Sequence, residues 1–166
     1  VNLSDRALAD IGAELGSDVP LFLQGPLSVL RGRGEIVESV PDRLNAWVGL
    51  ILPEIHCSTP PVYAEYDRGR ERPARPALSE ALAALSSPRR LSELCFNDLE
   101  EPAFAVSPPL CALAKRMRDL GVGTYQLTGS GSALFGLFDT EREASDSTTA
   151  IRQSEGVRVA LACTTA

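Results

Sequence analysis

Five consecutive residues, Thr128-Gly129-Ser130-Gly131-Ser132, are the part of this sequence best suited to hold an anion. They join two strand-like runs, Tyr125-Gln126-Leu127 and Ala133–Phe138. Gly129 and Gly131 permit positive φ and a close approach of backbone to ligand. Ser130 and Ser132 keep the loop polar. Successive N–H groups in such a loop can converge on an anion, usually a phosphate, although the same composition also suits a plain turn. Asp18 follows a helix-ending glycine and precedes Val19-Pro20. On that tight turn its carboxylate can accept a proton from a hydroxyl nucleophile or simply cap the turn. Thr59 offers a hydroxyl in a proline-stiffened loop. Tyr63 offers a ring that can stack on a base or fill the core. Asn97-Asp98 reads as a helix N-cap.

Other chemistries are disfavoured. There is no G-x-x-x-x-G-K-[ST] pattern, and Gly136 stands five residues after Gly131, so the loop does not complete G-x-G-x-x-G. A P-loop NTPase and a dinucleotide-binding fold both lose their fingerprint. Cys57, Cys95, Cys111 and Cys163 are widely spaced, and His56 is the single histidine. That argues against a zinc site and for four buried, reduced thiols, and no protein-held metal is expected. A net charge of −6 gives no basic footprint for nucleic acid. Any phosphate site must therefore be built from backbone N–H groups or local arginines. No apolar run approaches a membrane span, and the first residues do not read as a secretory signal. The expected location is cytoplasmic.

These residues need a scaffold to position them. Ser4 reads as the N-cap of a helix carrying Ala7, Leu8, Ile11 and Leu15, ended by Gly16. A turn follows, then the apolar Leu21-Phe22-Leu23, broken by Gly25-Pro26. Leu27–Arg31 and Glu35–Val40 suit a hairpin closed by Gly32-Arg33-Gly34, and residues 41–43 suit a linker. Ala46–Leu52 is an apolar strand, and Val62–Tyr66 opens a short helix. Residues 67–76 carry Arg68, Arg70, Arg72 and Arg75 on an exposed loop, which can attract an anionic substrate or be merely solvated.

Helices are expected over Ala77–Leu85, with Leu78, Leu82 and Leu85 on one face, over Leu91–Leu94, and from Asn97-Asp98 to Val106 with an interruption at Pro102. Pro109–Leu120, with Gly121 past its end, is a further helix. Glu141–Gln153 forms the last helix, Gly156 breaks it, and Val157–Ala162 is the final strand. From Ala46 onward the order is strand, helices, strand, strand, helix, strand. That implies an α+β fold with helices packed on one face of a mainly antiparallel sheet. The first forty residues do not fit this layer and read as the tail of another domain.

Taken jointly and in order, LGSDVPLFL (15–23), GRGE (32–35), the P-x-x-x-x-S-T-P-x-x-Y of 53–63, NDLE (97–100) and LTGSGSALFGLF (127–138) resemble the GHMP small-molecule kinases. The likeness runs from about Leu3 to about Val159. It is strongest to members that act on a cytidine-diphosphate-linked methylerythritol in non-mevalonate isoprenoid precursor synthesis. The resemblance implies transfer of the γ-phosphoryl group of ATP to a hydroxyl, with Mg²⁺. Asp18 matches the family's catalytic aspartate, Thr59 a polar position near the substrate, and Tyr63 the aromatic that stacks on cytosine. Thr128, Gly129, Ser130, Gly131 and Ser132 match the glycine loop near the phosphates, and NDLE matches a signature of structural role. The implied fold is the GHMP kinase C-terminal, ferredoxin-like one over residues 43–166, with residues 1–42 the last helix and hairpin of a truncated N-terminal domain.

There are departures. Ser17 stands where the family usually has alanine. The family's N-terminal domain, with its ATP loop and the lysine that pairs with the catalytic aspartate, has no counterpart in these residues. Lys115 is the only lysine. The expected partners are the small-molecule substrate and the missing N-terminal domain, and the 166 residues alone are expected to be nearly inactive. Another GHMP kinase (homoserine, mevalonate or sugar) and a non-catalytic ligand-binding α+β module are the alternatives.

Overall fold

The computed structural model describes residues 3–16, 18–23, 27–32, 34, 36–40, 44–69, 74–153 and 157–164, the backbone alone for 158–164. The chain forms two compact units, residues 1–44 and 45–165. Ser17, the Gly25-Pro26 break, Arg33 and Glu35 of the hairpin, the 41–43 linker, residues 70–73 of the arginine loop and the Gly156 break lie outside the described residues.

The first unit opens with α1 (Asp5–Leu15). The Ser4 hydroxyl accepts from the Ala7 N–H at 3.3 Å, satisfying one of the donors that a helix start leaves open. Gly12 is buried because a short 3-10 helix, Val19–Leu23, folds back on it. A Cβ at Gly12 would lie 3.1 Å from Val19 Cγ1. Strands β1 (Ser28–Arg31) and β2 (Ile36–Ser39) pair antiparallel from Ser28↔Ser39 to Arg31↔Ile36.

The second unit is a four-stranded antiparallel sheet in the order β4-β5-β3-β6, with β3 spanning Trp47–Pro53, β4 Gln126–Leu127, β5 Leu134–Phe138 and β6 Val157–Thr164. Along β3 and β5 the fully buried positions alternate, Gly49 and Ile51 on one, Leu134 and Gly136 on the other, as the two-residue pleat requires. The β3–β6 register shifts between Leu52 and Pro53. A proline cannot donate to the ladder, which is why it sits at an irregularity.

Five of the six helices are α2 (Thr59–Tyr66), α4 (Pro88–Leu94), α5 (Glu100–Val106), α6 (Pro108–Asp119) and α7 (Glu141–Arg152). The sixth, α3, covers Leu78–Ala83. Val62 of α2, Ala103 of α5, Ile151 of α7 and four residues of α6 share one core with Ile51, Leu127 and Leu134 of the sheet. The α+β architecture expected from the element order is therefore present. Buried Leu110, Leu113, Ala114 and Met117 of α6 recur at i, i+3, i+4 and i+7, the spacing of one helical face. Removing the Leu110 side chain from this core should cost about 2–5 kcal/mol. Helix α7 starts in a capping box, with the Thr140 hydroxyl accepting from Glu143 N–H at 3.2 Å and the Glu143 carboxylate accepting from Thr140 N–H at 3.1 Å.

Several expectations need correction. Helix α2 begins three residues earlier than expected, at Thr59. Its prolines occupy the first turn, where no N–H partner is needed. Helix α3 buries none of its residues: Leu78 and Leu82 are exposed, and burial begins past its end, at Ala84 and Leu85. The helix expected to start at Asn97-Asp98 starts at Glu100, with Leu99 as its N-cap residue. Pro102 does not interrupt it, because the third residue of a helix has no intrahelical acceptor to lose. The three described cysteines, Cys57, Cys95 and Cys111, are free but half-buried, not buried.

Candidate functional site

The second unit brings the glycine loop together with the loop and helix start that follow β3. The loop spans the gap between Leu127 of β4 and Leu134 of β5, a directly paired couple in the ladder. Thr128 N–H closes it by donating to Ala133 O at 3.0 Å, and Gly131 N–H donates to Thr128 O at 3.1 Å. Gly129 and Gly131 hold φ of 57° and 90°. A side chain at Gly131 would be tightly placed, since a Cβ there would lie 3.1 Å from Leu127 Cδ1 and 3.3 Å from Leu110 Cδ2. The Gly131–Ser132 peptide is cis.

From the β3–α2 segment, Thr59 and Ser130 share a hydroxyl–hydroxyl hydrogen bond of 2.8 Å. The Cys57 thiol donates to Ser130 O at 3.3 Å. Burial pushes the Cys57 thiol pKa up, so it stays protonated and available as a donor. Tyr63 lies one helical turn beyond Thr59, hence on the same face of α2. Its ring is half exposed, so it does not fill the core.

The NDLE segment supports the loop from the other side. Asn97 does not cap a helix. Its Nδ2 donates to Leu127 O and to Gly129 O, both at 2.8 Å, while its Oδ1 accepts from Leu99 N–H at 2.9 Å. The Glu100 carboxylate accepts from Leu127 N–H at 3.1 Å. Burial raises the Glu100 pKa, against the opposing effects of that N–H and of the Arg118 charge. Asp98 pairs with Arg75, whose guanidinium also lies over the Phe96 ring, 5.6 Å from its centroid. Arg68 pairs with Glu65. Arg68 and Arg75, the two described arginines of the 67–76 loop, are thus engaged by carboxylates, which weakens the reading of that loop as an open cationic lure.

Sequence reasoning missed Asn97, Glu100 and Cys57 as parts of this site. Their contacts cross tens of residues in the chain and leave no local spacing to read. Asp18 belongs to the first unit, exposed at the turn into the Val19–Leu23 helix, where its carbonyl accepts from Leu21 N–H at 3.2 Å. A cavity of about 590 Å³ lies at the far end of the β4–β5 hairpin, lined by Arg89, Glu93, Gly123, Phe138, Asp139 and Asp146 among others. It holds none of the predicted site residues. The candidate site is taken at the loop, where Thr59 meets Ser130, not at this void.

Among the described residues no group of three or more His, Cys, Asp or Glu is arranged to hold a metal ion, and no helix is long and apolar enough to cross a membrane.

Residues 74–155 match the family described as "GHMP kinases C terminal". The 4-diphosphocytidyl-2-C-methyl-D-erythritol kinase of Sinorhizobium medicae is 35% identical over 149 residues, covering 87% of this chain and 47% of its own length. A crystal structure of 4-(cytidine 5'-diphospho)-2C-methyl-D-erythritol kinase superposes with a TM-score of 0.76 at 33% identity, over 95% of this chain and 56% of that one. Homoserine kinase from Cytophaga hutchinsonii gives a TM-score of 0.67 at 16% identity, over 99% and 58%, a likeness of fold alone. The chain spans about half the length of the curated relatives it matches.

Proposed function

This chain carries a GHMP kinase C-terminal domain, and from that premise we propose that it is the C-terminal portion of an ATP-dependent kinase acting on 4-diphosphocytidyl-2-C-methyl-D-erythritol in isoprenoid precursor biosynthesis. The observation that carries the reading is the loop of Thr128–Ser132 tied to Thr59, in a domain whose relatives bear that kinase's name. In this reading Asp18 takes the proton of the attacking hydroxyl. The hydroxyl oxygen bonds the γ-phosphorus of ATP, and the bond from that phosphorus to the bridging oxygen breaks as ADP leaves. The loop amides hold phosphate oxygens, the Thr59 hydroxyl lies beside the substrate, and the Tyr63 ring stacks on the cytosine. Positioning and charge stabilisation are the main catalytic resources for such a transfer.

The residues present fit the phosphates. The N–H groups of Gly129 and Ser130 have no hydrogen-bond partner among the described residues. Mg²⁺ would accompany the ATP phosphates and neutralise their charge; no residue of this chain is assigned to it. The other half of the kinase length is assigned the ATP loop and the lysine beside Asp18. Residues 1–42 are assigned to the N-terminal domain and 43–166 to the C-terminal one, in a cytoplasmic enzyme.

The test is an ATP-dependent phosphorylation assay with 4-diphosphocytidyl-2-C-methyl-D-erythritol, on this chain and on the protein with its upstream coding region included. Asp18→Asn in the longer protein should lower kcat by about 10²–10⁴-fold, the usual worth of a general base, with cytidine binding retained. No turnover in the longer protein would overturn the substrate assignment.

A further inference from the structure

The proposed phosphate loop has a feature that its own sequence does not explain. Its carbonyl oxygens from Leu127 to Ser130 are all engaged by protein donors: Leu127 O and Gly129 O by Asn97 Nδ2, Thr128 O by Gly131 N–H, and Ser130 O by Cys57. In a trans peptide the N–H points opposite to the C=O of the same unit. Drawing Thr128 O and Gly129 O into the protein therefore turns the N–H groups of Gly129 and Ser130 the other way. Thr128 O is taken by the loop itself. Gly129 O is taken by a side chain from a distant segment, 32 residues away in the chain.

We propose that Asn97 is a positioning residue which makes this loop an anion site, by holding the carbonyls of Leu127 and Gly129 inward so that the Ser130 amide faces the ligand. Asparagine suits the task because its amide carries two N–H donors and one acceptor. Here the donors go to two loop carbonyls and the acceptor takes Leu99 N–H, so the side chain cannot rotate without losing three hydrogen bonds. The segment that carries it is itself fixed, with Asp98 paired to Arg75 and Glu100 accepting from Leu127 N–H. Successive amides that share one side of a loop form an anion-binding concavity. Carbonyls turned into the same concavity would cancel them. This inference rests on the reading of the loop as the phosphate site.

Two variants separate positioning from turn-building. In Asn97→Ser and Asn97→Asp the side-chain oxygen can still accept from Leu99 N–H, which preserves the local turn. Ionised Asp has no donor, and the single hydroxyl proton of the shorter Ser cannot serve both carbonyls; Ser also adds no charge that could itself repel an anion. The experiment titrates inorganic pyrophosphate into the 166-residue chain and follows the backbone amide resonances. In the wild type the Gly129 and Ser130 amides should shift. Both variants should weaken that binding at least tenfold, with the resonances of α6 and the unfolding midpoint close to wild type. Wild-type binding matched by Asn97→Ser would overturn the role of Asn97 and leave the loop reading intact. No loop shift in the wild type would overturn the loop reading itself, and the role of Asn97 with it.

Discussion

Two hairpins in this chain turn on Gly-x-Gly. The β1–β2 hairpin has Gly32 and Gly34 at φ of 69° and 112°, and the β4–β5 hairpin has Gly129 and Gly131 at 57° and 90°. As local sequence the two are nearly interchangeable, since each glycine supplies a backbone conformation that other residues resist. Their surroundings differ. Beside the first turn an exposed ion pair, Arg31 with Glu38, crosses the two strands. The second is tied from outside by Asn97, Glu100, Cys57 and Thr59. The glycines permit a shape in both places. In the second, distant side chains also select that shape and engage its carbonyls, and that marks it as a candidate site.

The largest effect expected of this contrast lies at Gly131. Alanine there must adopt φ near 90° and place a Cβ 3.1 Å from Leu127 and 3.3 Å from Leu110, both fully buried. Gly131→Ala should cost roughly 2–4 kcal/mol, strain and overpacking together. Gly129→Ala meets nothing within 4 Å at its Cβ and should cost only the left-handed backbone, about 1–2 kcal/mol. Trp47, the single tryptophan, lies on β3 of the same unit, so its fluorescence in a urea titration reads both losses. Equal losses at the two positions would mean that the loop is not pressed against the core and resembles the first hairpin after all.

A smaller effect, of opposite sign, is expected beneath the loop. Burial raises the Glu100 pKa in the folded chain. A raised carboxyl favours folding most below its unfolded pKa, and that contribution is lost as pH rises through the folded value. At pH 7 the ionised Glu100 is therefore a net cost. Glu100→Gln keeps an acceptor for Leu127 N–H without the charge. It should raise the urea midpoint at pH 7, by less than Gly131→Ala lowers it, and the gain should vanish below about pH 4, where the carboxyl is protonated folded or unfolded. A midpoint that falls at pH 7 would show that the charge itself holds the loop, through Arg118 and the Leu127 N–H.

The same contrast marks what could be read from residues alone. Helix α6 was legible because Leu110, Leu113, Ala114 and Met117 keep helical spacing and Gly121 stops it. The Ser4 cap and the β4–β5 hairpin were legible for the same reason, each being a local pattern. Asn97 was misread because an asparagine before a helix is usually its cap, while its actual partners, Leu127 and Gly129, lie 30 and 32 residues on. The Leu78–Leu82 face was misread because helical spacing says which residues align, not whether anything covers them. Thr59 and Tyr63 were placed on one face only once the helix proved to start at Thr59. The grouping of motifs came from a family resemblance. The physical links between them came from hydrogen bonds no local rule foretells.

The smallest effect belongs to the plain turn. Arg31 Nε lies 3.1 Å from Glu38 Oε1, with the two side chains 55% and 54% exposed. An exposed pair of this kind gains little in water, loses side-chain freedom and is screened by salt. Arg31→Ala should therefore cost no more than about 0.5 kcal/mol, leave the Trp47 transition in place, and barely move the amide resonances of Val29 and Val37 on the paired strands. A loss as large as that of Gly131→Ala would break the comparison at its root. It would mean that the first hairpin, too, takes its shape from a side-chain tie and not from its glycines and ladder, and that external ties alone do not distinguish a site from a turn in this chain.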